Sequence, residues 1–272
     1  MRYKIYILLL GALLVSSCGE YEKLLKSTDY ELKKTKAREY YDQGQFVKAS
    51  ELLSQVIPRF RATSEAEELN WLNAQSYYGM KQYDMAGALY KALVEQYPYG
   101  KYAEEATFLG AFCDFNLAPR AELDQESSRN SIEGFNVFIT KFPYSPKVEE
   151  AKKYISDLQE RLVEKSYVNA RLYYDMKEYK AAITALSNSL KEFAGSKYRE
   201  EMMYLKLSSL FLYAENSFAI KQTERYQAAL DDYFSFMEEF PESKYSKEVK
   251  RIYQDTIRFL KIENVENLAN TQ

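Results

Sequence analysis

The chain has 272 residues, with 37 Lys and Arg against 40 Asp and Glu and no histidine. The missing histidine excludes Ser-His-Asp and Cys-His catalysis, HExxH zinc sites and any His-ligated metal, and the near-balanced charge excludes a global nucleic-acid footprint. Nine Gly and six Pro, beside 46% hydrophobic residues and 26 Tyr, argue for packed helices over a turn-rich β fold or a disordered chain.

Arg2 and Lys4 precede an apolar run from Ile5 to Val15, broken only by Gly11. A membrane span needs about 20 apolar residues, so this shorter run reads as a signal peptide over residues 1–17. Val15-Ser16-Ser17-Cys18 resembles a bacterial lipobox. The resemblance implies cleavage before Cys18 and diacylglyceryl attachment to its sulfur, with no other cofactor. Lipidation of Cys18 leaves Cys113 without a disulfide partner, and its apolar neighbours Phe108 to Phe115 predict a small buried core residue. Residues 18–33 read as a lipidated polar tether.

From residue 34 a helical pattern repeats. Five segments end in an aromatic that is usually followed by Pro: Phe60, Tyr97-Pro98, Phe142-Pro143, Phe193 and Phe240-Pro241. A small residue stands eleven positions before each: Ala49, Ala86, Ser131, Ala182 and Ala229. Twelve positions before three of these stand Ala37, Ala74 and Ala170, each followed by a Tyr pair: Tyr40-Tyr41, Tyr77-Tyr78 and Tyr173-Tyr174. Small residues let helices approach, aromatics fill the space between pairs, and Pro ends the second helix. The pattern resembles the tetratricopeptide repeat, whose period is about 34 residues. It predicts an all-α chain: an α-α superhelix of about five helix pairs.

The extra length over that period has a place. Residues 119–130 and 214–224 read as inter-helix insertions. Lys147 to Met176 contains no Gly or Pro and predicts one long helix joining repeats three and four. The expected organisation is repeats 1–3 over 34–145, repeats 4–5 over 146–262 and a tail over 263–272.

Successive helical residues lie about 100° apart, so the two members of a Tyr pair face different ways. Arg38, Tyr41, Trp71, Gln75 and Tyr78 are therefore candidates for a concave peptide groove. Tyr and Arg suit such binding. The alternative is that Tyr41 and Tyr78 only seal neighbouring repeats. No GxGxxG, P-loop or GxSxG motif occurs, and the pairs Glu104-Glu105 and Glu149-Glu150 are adjacent on helices and point apart. The sequence predicts no enzyme.

A lipobox followed by five such repeats is similar to the BamD-like (YfiO-type) lipoproteins of the outer-membrane β-barrel assembly machine. The likeness is strongest from Ser131 to Ser196, which contains FPYSPKVEEAKKYISDLQERLVEKSYVNARLYYDMKEYKAAI. The resemblance implies a non-catalytic adaptor held by its lipid on the periplasmic face of the outer membrane. It implies two partners, the periplasmic POTRA region of BamA and unfolded outer-membrane proteins, and none among nucleic acids. It points to basic residues near the turn into the last repeat, here Lys197 and Arg199, as docking residues. A repeat lipoprotein serving another cell-envelope or secretion machine is the alternative.

Overall fold

The computed structural model describes residues 19–262; Cys18, the signal segment and the tail lie outside the described residues. Twelve helices and no strand occur among them. Residues 19–26 form α1. There follow α2 (Tyr30–Asp42), α3 (Phe46–Phe60), α4 (Ala66–Gly79), α5 (Tyr83–Gln96), α6 (Ala103–Leu117) and α7 (Glu126–Lys141). The rest are α8 (Val148–Asp175), α9 (Tyr179–Glu192), α10 (Arg199–Glu215), α11 (Ala219–Glu239) and α12 (Ser246–Leu260). No described helix is long and apolar enough to cross a membrane.

The chain divides into two compact units. Residues 19–119 and 124–158 form the first, and residues 120–123 and 159–262 belong to the second. The division falls inside α8, between Leu158 and Gln159. The predicted long helix is α8, 28 residues without a break.

The small residues sit where the repeat pattern needs them. Ala37, Ala49, Ala74, Ala86, Ala182 and Ala229 are fully buried, as are Ser131 and the thiol-bearing Cys113. In the first unit α6 and α7 touch so closely at Gly134 that an added Cβ would stand 2.8 Å from the Ala111 Cβ. Only glycine allows that approach without a shift.

Helix ends follow the same local logic. α5, α7 and α11 each stop one residue before their aromatic, which is the C-cap, and Pro98, Pro143 and Pro241 come next. The turns inside three pairs share one geometry. Gly44, Lys81 and Lys177 adopt left-handed backbone at φ 72°, 59° and 62°. Their N–H groups donate to Tyr41 O, Tyr78 O and Tyr174 O, and the following N–H groups donate to Tyr40 O, Tyr77 O and Tyr173 O. Each Tyr pair thus supplies the carbonyls that close its helix.

Two sequence expectations need correction. Residues 19–33 do not form a polar tether: α1 is helical, α2 begins at Tyr30, and Tyr21, Leu24 and Leu25 pack against the first core cluster. Three apolar side chains on one face of a charged segment suffice to seat it. The inter-helix insertion expected at 214–224 narrows to residues 216–218. α10 runs to Glu215 and α11 restarts at Ala219, so Ala219–Arg225 adds two helical turns before Tyr226. Ala, Ile, Lys, Gln and Arg permit helix there, whereas residues 118–125, which contain Pro119, lie outside α6 and α7.

Candidate functional site

The repeats are joined by a ring clamp. Five residues after the last four terminal aromatics stand Tyr102, Lys147, Tyr198 and Tyr245. Tyr102 stacks on Trp71 at 4.8 Å, Tyr198 on Tyr167 at 4.3 Å and Tyr245 on Tyr204 at 4.2 Å, each pair within 9° of parallel. Where Lys147 replaces the ring, its ammonium lies 4.7 Å from the Phe108 centroid, a cation–π contact in the place of a stack. A carboxylate from the earlier helix ties down three of these turns. Glu67 accepts from the Tyr102 N–H at 2.9 Å, Glu200 from the Lys244 N–H at 3.3 Å, and Glu105 from Lys147 Nζ at 2.6 Å. The spacing is present in the sequence, but its meaning appears only when the second of the four copies is seen to carry Lys.

The five groove candidates all lie on α2 and α4 of the first unit. Arg38 Nη2 donates to Glu65 at 3.1 Å and Glu68 at 2.8 Å. Glu65 also accepts from Lys34 Nζ at 2.6 Å, so two cations hold its carboxyl below the usual value, Lys34 first. Trp71 and Tyr78 both approach Tyr90, at 5.7 and 6.4 Å between centroids. Tyr90 is fully buried and its hydroxyl has no hydrogen-bond partner. Tyr41 meets Phe46 edge-on at 5.8 Å, and burial pushes the Tyr41 and Tyr78 hydroxyls above the usual phenol value. Gln75 is half-buried beside them in sequence. Arg38 and Trp71 are thus held by their neighbours, and the two Tyr show partly exposed faces. The third Tyr pair behaves differently: Tyr174 packs inward and meets the Ser208 hydroxyl at 3.0 Å, while Tyr173 is exposed.

In the second unit the α9–α10 turn carries both docking candidates. Lys197 is exposed and pairs with Glu160 at 2.6 Å. Arg199 is less free. Its guanidinium donates through Nε and Nη2 to both Glu239 oxygens, the latter at 2.9 Å, and through Nη1 to Leu190 O at 3.2 Å. Glu201 accepts from Tyr167 OH at 2.7 Å and from Arg171 at 3.1 Å. The sequence reading missed one surface on the same unit: Val168 and Leu172 on α8 and Met176 in the turn just after it stand four residues apart and are all exposed. Their spacing places them on one stripe, a signal hidden by the charged residues between them.

Among the described residues no cluster of His, Cys, Asp and Glu could hold a metal ion. Burial raises the Cys113 thiol to about 12, which suits packing and not nucleophilic chemistry.

A family described as YfiO, outer membrane lipoprotein, matches residues 30–209. The comparison with curated proteins yields no match. Among solved structures the chain is similar to the TPR2AB domain of yeast Sti1 in its pHSP90 complex, with a TM-score of 0.37 and 14% identity over 84% of this chain and 98% of that one. It is also similar to the kinesin light chain of Podosopora anserina with nearly identical TPR-like repeats, with a TM-score of 0.33 and 14% identity over 78% and 97%.

Proposed function

The chain belongs to the YfiO family of outer membrane lipoproteins, and on that premise we propose that it is a non-catalytic, lipid-anchored adaptor of the outer-membrane β-barrel assembly machine. The observation that carries the reading is the family match over residues 30–209, joined to a lipobox ending at Cys18. The anchor holds the chain on the periplasmic face. The second unit docks the POTRA region of BamA, and the first receives unfolded outer-membrane proteins.

Two features support this division of labour. Lys197, exposed at the α9–α10 turn, offers positive charge, and Val168, Leu172 and Met176 offer exposed apolar area, on the same unit. Apolar contact surrounded by charge is the usual make-up of a partner surface. Tyr41 and Tyr78, partly exposed on α2 and α4, offer rigid amphipathic area to an extended chain.

The test is recovery of the C-terminally tagged protein from detergent-solubilised outer membranes, with bound proteins identified by mass spectrometry. Cys18→Ala serves as the unanchored control. Stoichiometric BamA, reduced by Lys197→Glu or Leu172→Asp, supports the reading. Recovery of a different envelope or secretion component without BamA overturns it.

A further inference from the structure

We propose that the edge of the first unit carrying the α2–α3 and α4–α5 turns is the face that lies against the phospholipid bilayer. The inference rests on lipidation of Cys18 under the reading above. It starts from the length of chain between the lipid and the fold. Helix begins at Gly19, and consecutive Cα atoms are about 3.8 Å apart. No linker separates the acylated residue from α1.

α1 is fixed on the first repeat. Tyr21 OH donates to Glu51 Oε2 at 2.5 Å and reaches Lys48 O at 3.2 Å, and its ring meets Tyr40 edge-on at 5.6 Å. Lys48 Nζ lies 5.4 Å from the Tyr21 centroid and 5.1 Å from that of Tyr40. Leu24 and Leu25 pack into the cluster of Ala37, Leu52 and Val56. At the other end Lys33, only 2% exposed, donates to Leu25 O at 2.9 Å and to Gln55 Oε1 at 2.5 Å.

These contacts give α1 a direction. Its start touches the last turn of α2 and the first turn of α3, and its end touches the first turn of α2. Gly19 therefore sits at the α2–α3 turn. The α4–α5 turn is its neighbour, because the Phe46 ring packs onto Gly79 so tightly that an added Cβ would overlap it. This edge exposes Val47 and Met85, at 59% and 45%, together with Lys81, among the acids Glu20, Asp42 and Asp84. Apolar tips and a lysine suit the headgroup region. The acids are tolerated because the acyl chains supply the affinity. The opposite edge, with Arg61 and Tyr99, is the length of α3 away, about 22 Å for a helix of that size.

The test uses the full, acylated chain in vesicles of phosphatidylethanolamine and phosphatidylglycerol doped with a headgroup spin-labelled lipid. A nitrobenzoxadiazole probe is placed at Gln43→Cys or Lys81→Cys on the near edge, and at Arg61→Cys or Tyr99→Cys on the far edge. All four positions are exposed, and Cys113 is buried and silent. Quenching several-fold stronger at residues 43 and 81 is expected. Equal quenching at both edges, or stronger quenching at 61 and 99, overturns the inference when the intact mass shows the acyl groups on Cys18. A mass without them instead overturns the lipoprotein reading. A long Gly-Ser insert between Cys18 and Gly19 leaves the fold intact and should level the four probes; a difference that survives it overturns the argument from the missing linker.

Discussion

Charge reversal at the two basic docking candidates should separate folding from partner binding. Arg199 makes three hydrogen bonds, two to Glu239 and one to Leu190 O, at a site where both charges are partly exposed. A buried charge-assisted set would be worth more, but solvent screening brings truncation down to about 1 kcal/mol. Arg199→Glu also sets two carboxylates side by side. That repulsion lies between about 1 kcal/mol in water and about 4 kcal/mol near a protein surface at 4 Å, and rotation of the new side chain favours the lower figure. The expected loss is about 2 kcal/mol, read as a lower urea midpoint at unchanged slope. The exchange Arg199→Glu with Glu239→Arg should recover most of it, because the pair is re-formed in reverse. Lys197→Glu, at a fully exposed position, should leave the midpoint where it is. An Arg199→Glu midpoint equal to wild type, or no recovery in the exchanged pair, would refute the reasoning. The consequence for a docking assay is direct: lost binding in Lys197→Glu reports the surface, and lost binding in Arg199→Glu must first be corrected for unfolding.

Three further expectations follow from the repeats. Tyr245→Ala removes the stack on Tyr204 and part of the hydrophobic contact beneath it, a loss of about 2 kcal/mol by denaturant titration; Tyr245→Phe should retain nearly all of it. Lys81→Gly and Lys177→Gly relieve left-handed backbone in L residues and should each stabilise by about 0.5 kcal/mol after the entropy cost of glycine, while Gly44→Ala should cost about 1 kcal/mol. Glu65 and Glu239 are held below the ordinary carboxylate value by hydrogen bonds from Lys34 and Arg38 and from Arg199. Their stabilisation is complete above the unfolded value of about 4.3 and is lost as pH falls through the lower folded values. Urea midpoints followed down to about pH 3 should fall less steeply in the Glu65→Gln, Glu239→Gln double variant than in wild type.

The helix pairs were legible because the small residue and the terminal aromatic keep a fixed offset through every repeat, and the packing of two helices depends on both. The long α8 was legible for a plainer reason, the absence of any breaker between Lys147 and Met176. What stayed hidden depended on tertiary partners. The charged composition of 19–33 gave no sign of α1, whose seat is made in part by Tyr40, Lys48 and Glu51 farther along the chain. The Tyr pairs marked the right turns, yet Tyr174 and not Tyr173 is the packed member of the third pair, where it shares a hydrogen bond with the Ser208 hydroxyl. Arg199 was singled out by the family resemblance and its charge; only the structure showed Glu239 and Leu190 already engaging it.

The chain contains one tryptophan, and it is the ring that Tyr102 stacks on. Its emission is therefore a local reporter of the α4–α6 junction in the first unit. The second unit has only Tyr and Phe rings, so the indole reports on the first unit, while far-ultraviolet circular dichroism reports on the helices of both. Fluorescence and dichroism melts recorded on one sample thus compare the first unit with the whole without any label. A peptide that settles beside Tyr78 would announce itself as a shift in the colour of the same indole.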